Sequence, residues 1–199
     1  MAQQKSTTKD NALPIITCHK VYMAFKVEDD SYGIPEYFEN LTEIGIEKTF
    51  SSDPFYAEGV KKYVSNVLSS IAATVAVGDV EEDKEVKLLG HRRDNNGLVV
   101  RNINDQPATV ALMFTVKKAD GTFKGYVYYD GKFSPSGVNA ATSEGSANYQ
   151  VRTLTGEFKA LDNGDTDASK ILMNEAEVEE FFKKVPMPDF SDSDSSIES

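Results

Sequence analysis

The segment Ala108–Asp130 constrains the fold more than any other stretch of the chain. Val110, Leu112, Phe114 and Val116 alternate with Thr109, Ala111, Met113 and Thr115, a period of two that a β-strand converts into two faces. In KKADGT, Asp120-Gly121 supplies residues tolerant of positive φ where a hairpin with a four- or five-residue loop reverses direction. The return strand, Phe123 to Asp130, sets Phe123, Gly125, Val127 and Tyr129 on one face and Tyr126 and Tyr128 on the other. A mainly β core is therefore expected.

Other segments extend this reading. Lys20–Val27 alternates weakly and reads as a first strand. Ile71, Ala73, Val75 and Val77 oppose Ala72, Thr74 and Ala76, as in a half-buried strand. Gly97–Val100 suggests a short strand, and Tyr149–Leu161 a long final one with a bulge expected at Gly156. Residues 134–146 are a loop by composition.

Two segments switch to the helical period. Over 79–90 the apolar positions are Val80, Val86 and Leu89; Asp79 is expected to cap, Glu82 to reach back to it, and Gly90 to supply a left-handed stop. Over 174–185, Asn174 caps, Glu177 completes the box, and Val178, Phe181, Phe182 and Val185 form one face. Acids open this helix, Lys183 and Lys184 close it, and Pro186 stops it, so it is expected to dock on the sheets.

Segment 28–62 is interrupted by Gly33, Pro35, Gly45, Pro54 and Gly59 and reads as a long loop. It also carries Tyr32, Ile34, Tyr37, Phe38, Phe50, Phe55 and Tyr56, too many large apolar side chains for a solvated linker, so it packs either on its own core or on a partner. Residues 1–12 and the last nine, SDSDSSIES, are polar and aperiodic, as arms that order on contact would be.

At 199 residues the chain buries one good core. We divide it into an N-terminal arm (1–19), a β domain (20–161, including 28–62) and a C-terminal extension (162–199) with a helix and an acidic tail. No apolar run approaches the roughly 18 residues of a membrane helix, and MAQQKSTTKDNA has no apolar stretch of a signal peptide, so a soluble protein is expected. Cys18 is the single cysteine, which leaves no intramolecular disulfide to form. A formal net charge of −11, from 32 acidic and 21 basic residues, disfavours a role in gripping nucleic acid.

Catalytic chemistry finds little to work with. His19 and His91 are the only histidines. Cys18 and His19 are neighbours on a strand and point to opposite faces, so they do not form a nucleophile–base pair. The run DNGDTD at 162–167 lacks the glycine and closing glutamate of a twelve-residue calcium loop and reads as a surface turn. Glu81, Glu82 and Asp83 are first-turn acids that suit the helix dipole. Tyr126, Tyr128 and Tyr129 suit cross-strand packing as well as stacking on a sugar or base. No catalytic, metal or cofactor residues are assigned. A β core with an aromatic segment and two polar arms points to assembly.

The order of these parts resembles the major tail proteins, or tail tube proteins, of bacteriophages with long non-contractile tails. The resemblance is carried by the segment ending DPFYAEGVKKYVSN, by SIAATVAVGDV running directly into EEDKEVKLLGHR, by ATVALMFTVKKADGTFKGYVYYDGKFSPSG and by YQVRTLTGEFKAL, covering roughly 20–161. It implies two packed antiparallel sheets with a flanking helix, and six copies per ring in rings stacked as a tube for genome passage. It further implies a tape measure protein inside, terminator and distal tail proteins at the ends, and a place in the virion tail. Tyr32, Ile34, Tyr37, Phe38, Phe50, Phe55 and Tyr56 would then make contacts between subunits or rings, and the helix marked by Asp79, Glu82, Val86, Leu89 and Gly90 would flank the sandwich. The rival expectation is a surface-displayed β-sandwich that binds carbohydrate or protein through Tyr126, Tyr128 and loop 134–146.

Overall fold

A computed structural model describes residues 13–28, 31–58, 60–134, 137 and 151–189. Its elements in chain order are β1 (Ile15–Glu28), β2 (Ser31–Tyr32), β3 (Glu36–Phe38), β4 (Leu41–Ala57), β5 (Val60–Val77), α1 (Glu82–Leu89), β6 (Arg92–Arg93) and β7 (Val99–Val100). There follow β8 (Thr109–Lys118), β9 (Phe123–Ser134), β10 (Arg152–Phe158), β11 (Asp167–Leu172) and α2 (Glu175–Phe181). The protein is mainly β, with antiparallel sheets packed face to face and helices against them.

The hydrogen-bonded order β2-β1-β8-β9-β10-β5-β4 is folded into two layers by the bend of β9. Phe123–Tyr128 of β9 lie between β8 and β11, whereas Gly131–Ser134 pair with β10. Asp130 sits at the bend with φ 46°, and the β8 register shifts beside it. The expected β8–β9 hairpin forms, with Gly121 at φ 85° in its turn.

Both faces of that hairpin are buried, which is why neither face is polar. Val110, Leu112, Phe114 and Val116 join Val21 and Met23 of β1, Ile71, Ala73, Val75 and Val77 of β5, and Leu154 and Phe158 of β10 in a core between the layers. Ala111, Met113, Phe123, Val127 and Tyr129 form a second core with Leu161, Val178, Phe181, Phe182 and Val185. Thus α2 docks as its apolar face predicts, with the Asn174 side chain accepting the Glu177 amide at its start. The helix is shorter than expected: Phe182 is its C-cap, and Lys183 and Lys184 lie beyond it.

Three expectations need correction. No bulge occurs at Gly156, since β10 pairs in unbroken register with β5 from Arg152 to Phe158. Its glycine answers a close approach instead: a Cβ there would meet the Phe133 ring at 3.0 Å, while Phe158 lies over Gly131 in the reciprocal arrangement. Asp79 does not cap α1, which starts at Glu82 after Glu81 and has no side-chain cap; Asp79 accepts the Val80 amide, and Glu82 turns outward to Arg93. Gly90 does close α1, at φ 71°, where a Cβ would also collide with the Gln106 carbonyl.

The third correction concerns 28–62, which is mostly strand. Pro54 is tolerated because β4 is an edge strand, where a missing N–H costs no ladder bond on its open side. Gly45 sits regularly in register opposite Thr74. The chain after Phe158 does more than extend the domain. Turn 162–165 reverses it, β11 adds to β9, and α2 covers the second core. The arm 1–12, most of loop 134–146 and the acidic tail lie outside the described residues.

Candidate assembly surfaces

Beyond the sandwich, β4 and β5 continue as an arm. β10 ends at Phe158 opposite Ile71, so from Ser70 outward β5 pairs only with β4. The arm reaches about 30 Å past that point, from Lys48 to Ala57 at roughly 3.3 Å per residue. It turns at Glu58, φ 55°. A two-stranded ribbon on its own is marginally stable in water.

Its side chains are those of a covered sheet. A register shift between Thr49 and Phe50 changes which residues share a face. Beyond the shift Phe50 stands opposite Leu68 and Pro54 opposite Val64, while Val67 and Tyr63 alternate onto the other face. Phe50 is 58% exposed, Val67 56% and Tyr63 74%. Strands with apolar residues on both faces belong in a buried sheet. Among the described residues, Leu68 packs against the first core, whereas Phe50, Val64 and Val67 stay exposed.

A second surface lies on the outer face of the β10-β5-β4 layer. Cross-strand pairing places Glu47, Ala72, Glu157 and Lys132 in one row, Gly45, Thr74, Thr155 and Ser134 in the next, and Glu43, Ala76 and Thr153 in a third. Within the sandwich the large apolar side chains of these strands, among them Ile44, Ile46, Ile71, Val75, Leu154 and Phe158, point the other way, into the core. What remains is a low-relief wall of small residues with three glutamates and one lysine.

The helix α1 braces the end of the sandwich where β5 stops and β8 and β10 begin. Leu88 and Leu89 are buried in the first core, Val86 is half-buried, and the Leu88 carbonyl accepts the Ala108 amide. Glu85 is buried and takes two 2.7 Å hydrogen bonds from Arg152 and one of 3.2 Å from Arg101. The Arg152 hydrogen bond, seconded by Arg101, holds its carboxyl below the usual carboxylate range against the opposing effect of burial. Lys87 lies 4.0 Å from the centre of the Phe25 ring and also pairs with Glu36.

The residues expected to mediate contacts separate into different environments. Ile34 is 83% exposed and Phe50 is on the arm. Tyr37 is partly exposed, its ring 5.0 Å from that of Tyr22. Phe38 is buried in the first core, on a strand paired with β1. Tyr32 is also turned inward, donating to Asp130 at 2.7 Å. Phe55 and Tyr56 pair with β5 through their backbone, and their side chains lie outside the description. Tyr63, Val64 and Val67 were missed because the loop reading stopped at 62; the signal was an 18-residue run, 60–77, free of glycine and proline. Tyr128, offered for stacking on a ligand, is buried beside Phe114 and Phe158.

Fold and surfaces together define a class: a β-sandwich with a projecting two-stranded arm that exposes Phe50, Val60, Val64 and Val67. Comparison with protein families places it more narrowly. The family model of the phage tail tube protein matches residues 39–193, and the chain belongs to that family, as a structural component of a phage tail. Among solved structures, the tube-terminating cap of the anti-feeding prophage, determined by cryo-electron microscopy, is similar at a TM-score of 0.48 and 13% identity, over 83% of this chain and 98% of its own. No curated protein matches.

Proposed function

We propose that this chain polymerises as hexameric rings stacked into a tail tube, the conduit through which the genome leaves the virion. The observation that carries the reading is the β4–β5 arm, which among the described residues exposes Phe50 and Val64 on one face and Val67 on the other. Burying such a ribbon against a neighbouring copy removes its apolar surface from water and gives its strands the further layer that an isolated ribbon lacks. Free strand edges on β4 and β11 favour the same outcome, because closing a ring removes edges that would otherwise template aggregation.

The wall of Glu43, Glu47 and Glu157 is the face we assign to the lumen. A duplex carries a phosphate charge about every 1.7 Å of its length, so a channel that passes it quickly should repel it and present no protruding side chains. The tape measure protein would occupy this channel before ejection, with terminator and distal tail proteins at the two ends of the tube. Negative-stain electron microscopy of the purified protein at rising concentration, with sedimentation velocity on the same samples, tests the proposal. Rings or tubes with a central channel are expected; a monomer at every concentration, including after addition of preformed tail tips, would overturn it.

A further inference from the structure

We propose that Ile103 is a docking knob that seats in the groove beside α2 of a second copy of this chain, an inference that rests on the assembly reading above. Residues 92–107 leave the core as the small β6–β7 sheet and a following turn. Leu98 and Val100, on one face of β7, are 64% and 44% exposed, and Ile103 is 98% exposed. A lone surface isoleucine needs no explanation. This one, with two apolar neighbours, is held out by a turn braced through Asn102, Asn104 and Asp105.

The Asn102 amide donates to Asp105 Oδ2 at 2.8 Å, the Asn104 amide to Asn102 Oδ1 at 2.9 Å, and the Asp105 amide to the Asn102 carbonyl at 3.0 Å. The same Asp105 oxygen lies 2.9 Å from Nδ1 of His91, whose side chain is only 3% exposed. His91 follows the Gly90 cap, so the turn is tied to the end of α1. A rigid apolar tip loses little conformational freedom on docking, which is the advantage of preorganisation.

The groove lies between β11, α2 and the segment that follows α2. Its apolar wall is Pro186, Met187 and Pro188 over the buried Phe181 and Val185. The wall is fixed by the Tyr129 hydroxyl, which donates to the Pro186 carbonyl at 2.6 Å. Glu177 and Glu180 flank it on the helix side, with Lys170 and Lys184 also at its rim. The knob segment brings Arg92, exposed beside Asn102 and Asp105, as a counter-charge for Glu177 and for Glu180, which already pairs with Lys183. The knob extends from the first-core side and the groove lies on the second-core face. Each copy therefore offers the two halves of the contact to different neighbours, a head-to-tail arrangement that closes into a ring when the rotation permits.

The test uses the full chain in a Cys18→Ser background carrying Ile103→Cys and Met187→Cys. Oxidation of the assembled protein should give a ladder of cross-linked species on a non-reducing gel, and neither single cysteine should give one. Separately, Ile103→Asp should reduce assembly measured by sedimentation velocity about tenfold or more, as loss of a central apolar anchor does. The monomer's melting temperature should be unchanged, and Ile103→Leu should restore assembly. Wild-type assembly by Ile103→Asp, or a cross-linked dimer from Ile103→Cys alone, would overturn the knob while leaving the tube reading intact. A wild-type chain that never assembles would overturn both.

Discussion

Asp130 shows how much of the fold rests on single residues. It occupies a positive φ that few residues other than glycine adopt, at the bend where β9 passes from one layer to the other. Its buried carboxylate takes hydrogen bonds from Lys26 at 2.9 and 2.8 Å and from the Tyr32 hydroxyl at 2.7 Å, with Lys159 at 3.7 Å. Burial alone would raise its pKa, but Lys26, Tyr32 and Lys159 outweigh that and set it below the ordinary carboxylate value. A depressed pKa contributes stability that is present above the unfolded-state value, about 3.9, and lost as pH falls through the lower folded-state value. Asp130→Asn preserves tolerance of the left-handed backbone and removes the carboxylate charge that Lys26, Tyr32 and Lys159 face. Urea unfolding should show a loss of about 2–3 kcal/mol at neutral pH. The gap between wild type and variant should close as the pH falls below about 4; a gap that is the same at pH 3 and pH 7 would refute the electrostatic account. In sequence, Asp130 is one aspartate at the end of an alternating run, and its partners lie 104 and 98 residues away.

At the scale of elements, α1 and α2 were legible because their signals are local: first-turn acids, a left-handed glycine, an asparagine cap and an apolar stripe at i, i+3 and i+4. The arm was not. Gly45 and Pro54 are ordinary strand breakers, and the position of β4 at a sheet edge makes them harmless. The same reasoning explains why Phe38 and Phe50, alike in sequence, part company. Phe38 follows a strand that lies along β1 and drops into the core, whereas Phe50 falls beyond the last pairing with β10. Replacing Phe50, Tyr63 and Val67 by serine removes exposed side chains only, so the monomer's unfolding free energy should change by about 0.5 kcal/mol or less per site. Tube formation, scored by electron microscopy, should be abolished. Tubes of normal appearance from this triple variant would remove the arm from the assembly mechanism.

For the whole molecule, the decisive quantity is where a net charge of −11 is placed. Changing Glu43, Glu47 and Glu157 to lysine moves the wall of the β10-β5-β4 layer from net acidic to basic without touching a buried group. Assembled tubes of this variant should retain double-stranded DNA in a filter or sedimentation assay and release it as salt rises. Wild-type tubes should retain none at the same ionic strength; equal retention by both would place the wall away from the lumen. Sequence alone determined the strand-rich class, the hairpin and which residues alternate along it, the two helices and the apolar face of the second, and the paucity of catalytic groups. These follow from period and capping, which act over a few residues. The tertiary structure decided that both faces of the hairpin are buried, that β9 bends to serve two layers, that 28–62 is mostly strand with an arm at its far end, and that glutamates of β4 and β10 share one wall. Each of these depends on pairing between residues far apart in the chain, and pairing is settled by which layers bury the most apolar surface together, a sum that no local window contains.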